Sequence, residues 1–211
     1  MVTRKNILIT AGPTWIAIDR VRVISNLASG ETGYILADKF KKLGFKVTLL
    51  LGPGNFSKKL TGVRVIRFKY FSELARLLKV TLTKQKFAAV IQAAAVADYR
   101  PQKIIQRKVS SLQKSWKINL VPTEKLIENL KVYQPNLFRV GFKFDPEAGK
   151  NKLLAKAKTL LKTAALDLVI ANSSKNNGYQ AYILDKLNIY GPFLSKTKMA
   201  AYLSRLMVKK I

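Results

Sequence analysis

Apolar residues recur along this chain with two periods, near 2 and near 3.6, and the two alternate from one end to the other. The first strand-length run is Asn6–Thr10, Asn-Ile-Leu-Ile-Thr, and it ends at a Gly12-Pro13 turn. Residues 32–43 place Ile35, Leu36, Phe40 and Leu43 on one helical face, with Gly44 as the stop. Val47–Leu51 is apolar on both faces, as a buried parallel strand is, and Val63–Phe68 alternates with Arg64 and Arg67. Ser72 is the expected cap of a helix running to about residue 84, with Glu73 in its first turn and Leu74, Leu77 and Leu78 inward. Ala88–Val96 reads as a strand of small residues, and Lys117–Val121 as another. Thr123 is the expected N-cap of a helix to about residue 133, and Arg139–Phe144 is the next strand. A lysine-studded helix over 149–164 keeps Leu153, Leu154, Ala157 and Leu161 together, and Asp167–Asn172 follows as a buried strand. Tyr179–Leu184 and Leu187–Tyr190 pair as a hairpin, and Ser195 opens a closing helix to about Lys209.

This alternation predicts an α/β fold: a doubly wound, mostly parallel, Rossmann-like sheet in one domain over residues 1–211. Residues 100–117, rich in Arg, Lys, Gln and Ser, have little periodicity and are expected to form a flexible basic flap carrying Lys103, Arg107, Lys108 and Lys114. Ligands of open α/β sheets sit at the carboxyl ends of the strands, here residues 11–30, 93–100, 142–145 and 172. The stretch Arg22–Gly33 runs into the first helix, and Ser29, Gly30 and Gly33 suit an anion because small residues let backbone N–H groups approach it. Their spacing is not the dinucleotide fingerprint. Asn26 offers an uncharged amide able to hold a carboxylate or acyl oxygen, although an isolated asparagine equally shapes a turn.

Composition narrows the chemistry. The 211 residues, 48% of them hydrophobic, can bury a sizeable core, and they include no cysteine and no histidine. Disulfides, thiolate nucleophiles, imidazole bases and the usual zinc sites are thereby excluded. No metal bound by the protein alone is expected; a required metal would be a hard cation such as Mg2+, held mainly by substrate phosphates. No signal-peptide pattern opens the chain and no apolar run is long enough to span a bilayer, so a cytoplasmic location and no membrane partner are expected. The net charge is +28, from 39 Lys and Arg against 11 Asp and Glu, and its field attracts nucleic acid. These charges are spread along the chain with no RNA-binding aromatic signature, so nucleic acid is expected only as a non-specific partner.

The residues resemble the phosphopantothenate–cysteine ligase (phosphopantothenoylcysteine synthetase) family. The likeness is carried by Ile9-Thr-Ala-Gly-Pro-Thr14, Asp19-Arg-Val-Arg-Val-Ile-Ser-Asn26, Ala28-Ser-Gly30 with Gly33, Ala94-Ala-Val-Ala-Asp-Tyr99, Val140-Gly-Phe142 and Leu166-Asp-Leu-Val-Ile-Ala-Asn172. These motifs come in family order along nearly the whole chain. The resemblance implies a step of coenzyme A biosynthesis: 4′-phosphopantothenate attacks the α-phosphate of a nucleoside triphosphate, with CTP expected ahead of ATP, and L-cysteine then displaces the nucleotide to form an amide. It also implies a homodimer and, since the chain starts at the ligase's own first strand, the stand-alone bacterial form.

By the same resemblance, Asn26 handles the acyl-nucleotide intermediate and Lys108, from Lys108-Val109-Ser110-Ser111, is the mobile catalytic lysine of the flap. Gln92, Ala93, Ala94, Asp98 and Phe142 match nucleotide-binding positions, Ser29 and Gly30 lie in the phosphate-contacting loop, and Arg22 is the motif arginine beside it in substrate binding. The chain departs from the family at four places. Ala28 replaces a serine, serines follow Lys108 instead of lysines, and Thr123-Glu124-Lys125 stands in place of Asn-Pro-Asp. Leu160 and Ala164 align with two lysines, the nearby Lys158 and Lys162 lying on other helix faces. These changes bear on the choice between CTP and ATP. Two other readings remain: a non-catalytic basic α/β protein that binds nucleic acid, and a nicotinamide-dependent oxidoreductase, the latter opposed by the absence of Gly-x-Gly-x-x-Gly after the first strand.

Overall fold

The computed structural model describes residues 5–54, 60–174 and 178–211. In chain order the elements are β1 (Asn6–Ala11), β2 (Trp15–Ala17), β3 (Val23–Ser25), α1 (Glu31–Lys42), β4 (Lys46–Leu51), β5 (Arg64–Arg67), α2 (Phe71–Lys84), β6 (Ala89–Gln92), β7 (Tyr99–Pro101), β8 (Leu120–Pro122), α3 (Leu126–Tyr133), β9 (Phe138–Phe144), α4 (Lys150–Thr163), β10 (Leu168–Ser173), β11 (Gln180–Leu184), β12 (Ile189–Phe193) and α5 (Lys196–Lys210). Eight strands form one sheet in the order β12-β11-β10-β9-β6-β1-β4-β5. Neighbours pair in parallel from β10 across to β5, and β11 alone of the eight is reversed, pairing antiparallel with β10 on one side and β12 on the other.

Alternation along the strands feeds two helical layers. Ile7, Ile9, Leu49 and Ile91 meet α1 and α5 through Leu36, Phe40, Met199 and Leu203. Leu8, Leu50 and Val90 point the other way, against Leu74 and Leu78 of α2 and Leu126 and Leu130 of α3. On that second face α4 packs Leu153, Ala157 and Leu161 over Val169 and Ala171. The winding reverses at β1: the chain runs outward to β4 and β5, then returns to place β6 on β1's other side. The carboxyl ends of β1 and β6 diverge at that switch point, and loops there open a crevice.

Several expected boundaries move. Tyr70 caps α2 in place of Ser72, because the Glu73 carboxylate reaches back to accept the Lys69 and Tyr70 N–H groups at 2.6 and 3.2 Å. Lys125 caps α3 in place of Thr123, whose hydroxyl instead donates to the Ala97 carbonyl at 2.6 Å. β6 stops at Gln92, and the residues expected to prolong it peel away as a loop. The strand read at Lys117–Val121 is the shorter β8, paired antiparallel with β7 outside the main sheet. A second small hairpin, β2 with β3, occupies part of what read as a loop. The closing helix begins as expected, with Ser195 Oγ accepting the Lys198 N–H at 3.2 Å.

Candidate active site

Beyond the end of β1, the chain acts as a template for residues 93–97. The Ala93 N–H donates to the Thr10 carbonyl at 3.2 Å, and the Ala94 N–H to the Thr10 hydroxyl at 3.1 Å. The Ala95 N–H donates to Gly12 O at 3.0 Å, and the Ala97 N–H to the Thr14 hydroxyl at 3.0 Å. Both threonines are fully buried, so the hydroxyls of the Thr-Ala-Gly-Pro-Thr motif are spent on shaping this loop. Asn26 closes it from the other side, donating from Nδ2 to the carbonyls of Ala95 and Val96 at 3.3 and 3.1 Å. Two carbonyl acceptors fix the amide's orientation, so Oδ1, an acceptor, is its remaining polar atom. Asn26, expected to handle the acyl group, thus stands on the loop with its Nδ2 engaged by backbone and its Oδ1 left for another partner.

Gly30 enters α1 in the left-handed conformation (φ 75°), a turn that glycine makes without strain. Ser29 Oγ accepts the Glu31 N–H at 3.3 Å, while the Thr32 and Gly33 N–H groups have no hydrogen-bond partner among the described residues. The positive end of the helix dipole is thus available to an anion. Glu31 would oppose that anion, and Lys196 at the start of α5 pairs with it.

These parts line one cleft of about 1110 Å³, reaching from Gly12 and Ser25–Thr32 across Gln92–Asp98 to Thr123–Glu128, Phe142–Phe144, α4 and Asn172. Asn26, Ser29, Gly30, Gln92, Ala93, Ala94, Asp98 and Phe142 are all brought together on its walls. Gln92 Oε1 and Asn172 Oδ1, at the ends of β6 and β10, are buried with no hydrogen-bond partner. Asp98 holds Lys125 at 2.5 Å, and its carbonyl accepts the Thr123 N–H at 2.9 Å. The substituted Thr123-Glu124-Lys125 segment therefore secures the loop around Asp98 by its own contacts.

Sequence reading missed Lys156. α4 turns Lys156, Thr159, Leu160 and Thr163 to the cleft, so the ammonium on this wall stands one turn before Leu160. Asp145 pairs with Lys156, and that hydrogen bond holds the Asp145 carboxyl below its usual range. Only the helix phase could have revealed this lysine, and the phase depends on how the chain passes Asp145-Pro146-Glu147. Lys143, on β9, and Lys196, the first residue of α5, were missed because nothing local distinguishes them among 39 Lys and Arg. Among the described lining residues four lysines, Lys125, Lys143, Lys156 and Lys196, stand with four carboxylates, Glu31, Asp98, Glu124 and Glu128. No three of His, Cys, Asp and Glu gather among the described residues where they could hold a metal ion.

Two expected site residues are not on these walls. Arg22 pairs with Asp19 at 2.6 Å and lies over the Trp116 ring at 5.2 Å. Lys108 is exposed on the flap, next to Val109, which is buried. Among the described residues no helix is long and apolar enough to cross a membrane.

The chain matches the family described as DNA/pantothenate metabolism flavoprotein C-terminal domain over residues 2–208. It is 36% identical over 215 residues to the coenzyme A biosynthesis bifunctional protein CoaBC of Borreliella burgdorferi, covering 96% of this chain and 52% of that protein. The chain thus spans about half the length of that relative. The fold is shared with the crystal structure of the DNA/pantothenate metabolism flavoprotein from Streptococcus pneumoniae (TM-score 0.87, 22% identity, 98% of this chain and 100% of that one). It is also shared with a Cab2 mutant in complex with phosphopantothenate-cysteine (TM-score 0.80, 18% identity, 98% and 87%). Matched along nearly its whole length, the chain belongs to the DNA/pantothenate metabolism flavoprotein C-terminal domain family.

Proposed function

We propose that this chain is a phosphopantothenate–cysteine ligase that activates 4′-phosphopantothenate with CTP and joins it to L-cysteine. The observation that carries the reading is a cleft with an open helix N-terminus on one wall and sealed, unpartnered amide oxygens at the ends of β6 and β10. The relative's name places it in coenzyme A biosynthesis, and the Cab2 structure holds phosphopantothenate-cysteine, in support of the same chemistry here.

In the first step a carboxylate oxygen of phosphopantothenate bonds to the α-phosphorus, the bond to the β-phosphate breaks, and pyrophosphate leaves. Ser29, Gly30 and the α1 N-terminus hold phosphate, while Lys143 and Lys156 supply charge from the facing wall. The small residues Ala93–Ala95 leave room for a flat base, with Gln92 and Phe142 beside it. In the second step the cysteine nitrogen bonds to the acyl carbon, CMP leaves with the former acyl oxygen, and the nitrogen loses a proton. Asn26 Oδ1 suits the attacking amine as an acceptor for its N–H.

The balanced lysines and carboxylates leave little spare charge for a triphosphate, which fits a nucleotide delivered with Mg2+ on its own phosphates. When bound, that ion neutralises developing phosphate charge. A cytoplasmic homodimer completes the reading, and apolar side chains exposed between β2 and β3 (Val21), on β7 (Tyr99) and on the flap (Leu112) support the dimer. Pyrophosphate release, measured with CTP or ATP and with and without phosphopantothenate and cysteine, tests the proposal. Release that does not require phosphopantothenate would overturn it, and a higher kcat/KM with ATP would overturn the choice of CTP.

A further inference from the structure

The flap has no regular secondary structure between β7 and β8, yet one of its residues is held from both sides. Val109 is buried, at 8% exposure. Its N–H donates to Asp19 Oδ2 at 3.1 Å, and its carbonyl accepts from both Arg22 terminal nitrogens at 3.2 and 3.3 Å. The same Asp19 oxygen accepts Arg22 Nη1 at 2.6 Å, while Oδ1 accepts the Val21 and Arg22 N–H groups at 2.9 and 2.8 Å. Trp116 covers the guanidinium, and a second tie runs from the Ile105 N–H to the Ile18 carbonyl at 3.1 Å.

We propose that Asp19 is a positioning residue that docks the flap, capturing the Val109 backbone together with Arg22 and so fixing the point from which Lys108 extends. Asp19 is 4% exposed, and a carboxylate buried so deeply needs this full set of donors. Burial pushes its carboxyl up, but the N–H groups of Val21, Val109 and Arg22 and the Arg22 charge outweigh that and bring it to about 2. The docked flap is anchored at Val109, whereas Lys108 itself is exposed, has no hydrogen-bond or ion-pair partner among the described residues, and keeps its reach. The role given to Lys108 rests on the ligase reading, but the docking does not.

Asp19→Asn tests the proposal, because an amide of equal size in place of Oδ2 turns a donor toward the Val109 N–H and Arg22. Trypsin should cut the variant at Lys103, Arg107, Lys108 or Lys114 at least about tenfold faster than the wild type, in step with the open population. Single-turnover nucleotidyl transfer should fall roughly 10- to 100-fold, the scale of a misplacement of about 1 Å. In a Lys108→Gln background the same change should cost less than about twofold, because its route to the reaction is gone. Unchanged proteolysis overturns the docking. A full loss in both backgrounds overturns the action through Lys108. Flap opening in an enzyme whose wild type makes no pyrophosphate supports the docking and sinks the ligase reading instead. Should Asp19→Asn not fold, amide exchange of Val109 in the wild type decides: protection supports the docking, and exchange at the solvent rate overturns it.

Discussion

Gly33→Ala is expected to weaken both the fold and the nucleotide site. Gly33 lies in the first turn of α1, where the helix crosses the end of β1. A Cβ added there would stand 2.4 Å from the Ala11 Cβ and 3.1 Å from the Thr10 carbonyl. Both neighbours belong to the sheet and neither is the end of a flexible side chain, so the helix terminus must retreat by about 1 Å to restore ordinary contact. Overpacking of this kind costs about 1–3 kcal/mol, and the better helix propensity of alanine returns at most about 1 kcal/mol. The net loss of about 1–2 kcal/mol lowers Tm by roughly 2–8 °C for a chain of this size. The same retreat draws the Thr32 and Gly33 N–H groups away from the phosphate they are proposed to hold, with an expected loss of up to about 100-fold in nucleotidyl transfer. Calorimetry gives the first quantity, and pyrophosphate release well below Tm gives the second. Gly44→Ala is the control: it strains a left-handed residue (φ +87°) with nothing within 4 Å of the new Cβ and no contact with the cleft. It should lower Tm while leaving the rate unchanged. Wild-type Tm and rate in Gly33→Ala would refute the claim that this close approach sets the helix terminus.

Asn26→Asp sets an oxygen against the Ala95 and Val96 carbonyls in place of the amide nitrogen, so kcat should fall at least about tenfold through the lost hydrogen bonds; an unaltered kcat would make Asn26 a turn residue. Lys156→Ala should raise the KM for nucleotide about five- to tenfold, as expected for one charge-assisted contact, and an unchanged KM would remove it from the phosphate wall. Because folding lowers the Asp19 carboxyl from 3.8 to about 2, the stability it contributes is present above pH 4 and lost as pH falls towards 2. Urea midpoints across that window should fall more steeply in the wild type than in Asp19→Asn, and parallel curves would contradict the assignment. Chelation of divalent cations should abolish pyrophosphate release while leaving the melting curve of the nucleotide-free protein unchanged; a shifted curve would point to a metal held by the protein itself.

The sheet was legible because its signal is periodic. Runs such as Val47–Leu51 and Leu168–Ala171 are too apolar to belong anywhere but between two helical layers. The site loops were legible as a location, since strand ends and small residues mark it. What stayed hidden depends on which group wins a competition at short range. Ser72 has the chemistry of a cap, but the longer Glu73 side chain reaches the free N–H groups first. Thr123 has it too, but a buried carbonyl 26 residues earlier claims its hydroxyl. β2 and β3 are three residues each, too short to show a period, and exist because they pair. Arg22 could be read as basic and near a phosphate loop, but its engagement with Val109, 87 residues away, is a tertiary fact.

The charge of +28 and the balance inside the cleft belong to one physical arrangement. A distant polyphosphate feels the summed surface charge, which speeds encounter and is screened over about 10 Å at 0.1 M salt. Inside the cleft it meets three lysines, Lys125, Lys156 and Lys196, that are already paired with carboxylates. The Lys125–Asp98 pair is more than half exposed on both sides, and such a pair is worth only about 0–1 kcal/mol. Exchanging a carboxylate for a phosphate therefore costs little, and the pairs prevent the lysines from repelling one another while the cleft is empty. Added salt should accordingly slow association far more than it speeds dissociation. Replacing surface lysines remote from the cleft, such as Lys41 and Lys42, should reduce that salt dependence without changing the bound-state lifetime. A lifetime that shortened in proportion to the charge removed would mean that surface and cleft are not separable, and that the paired lysines are part of the same diffuse field.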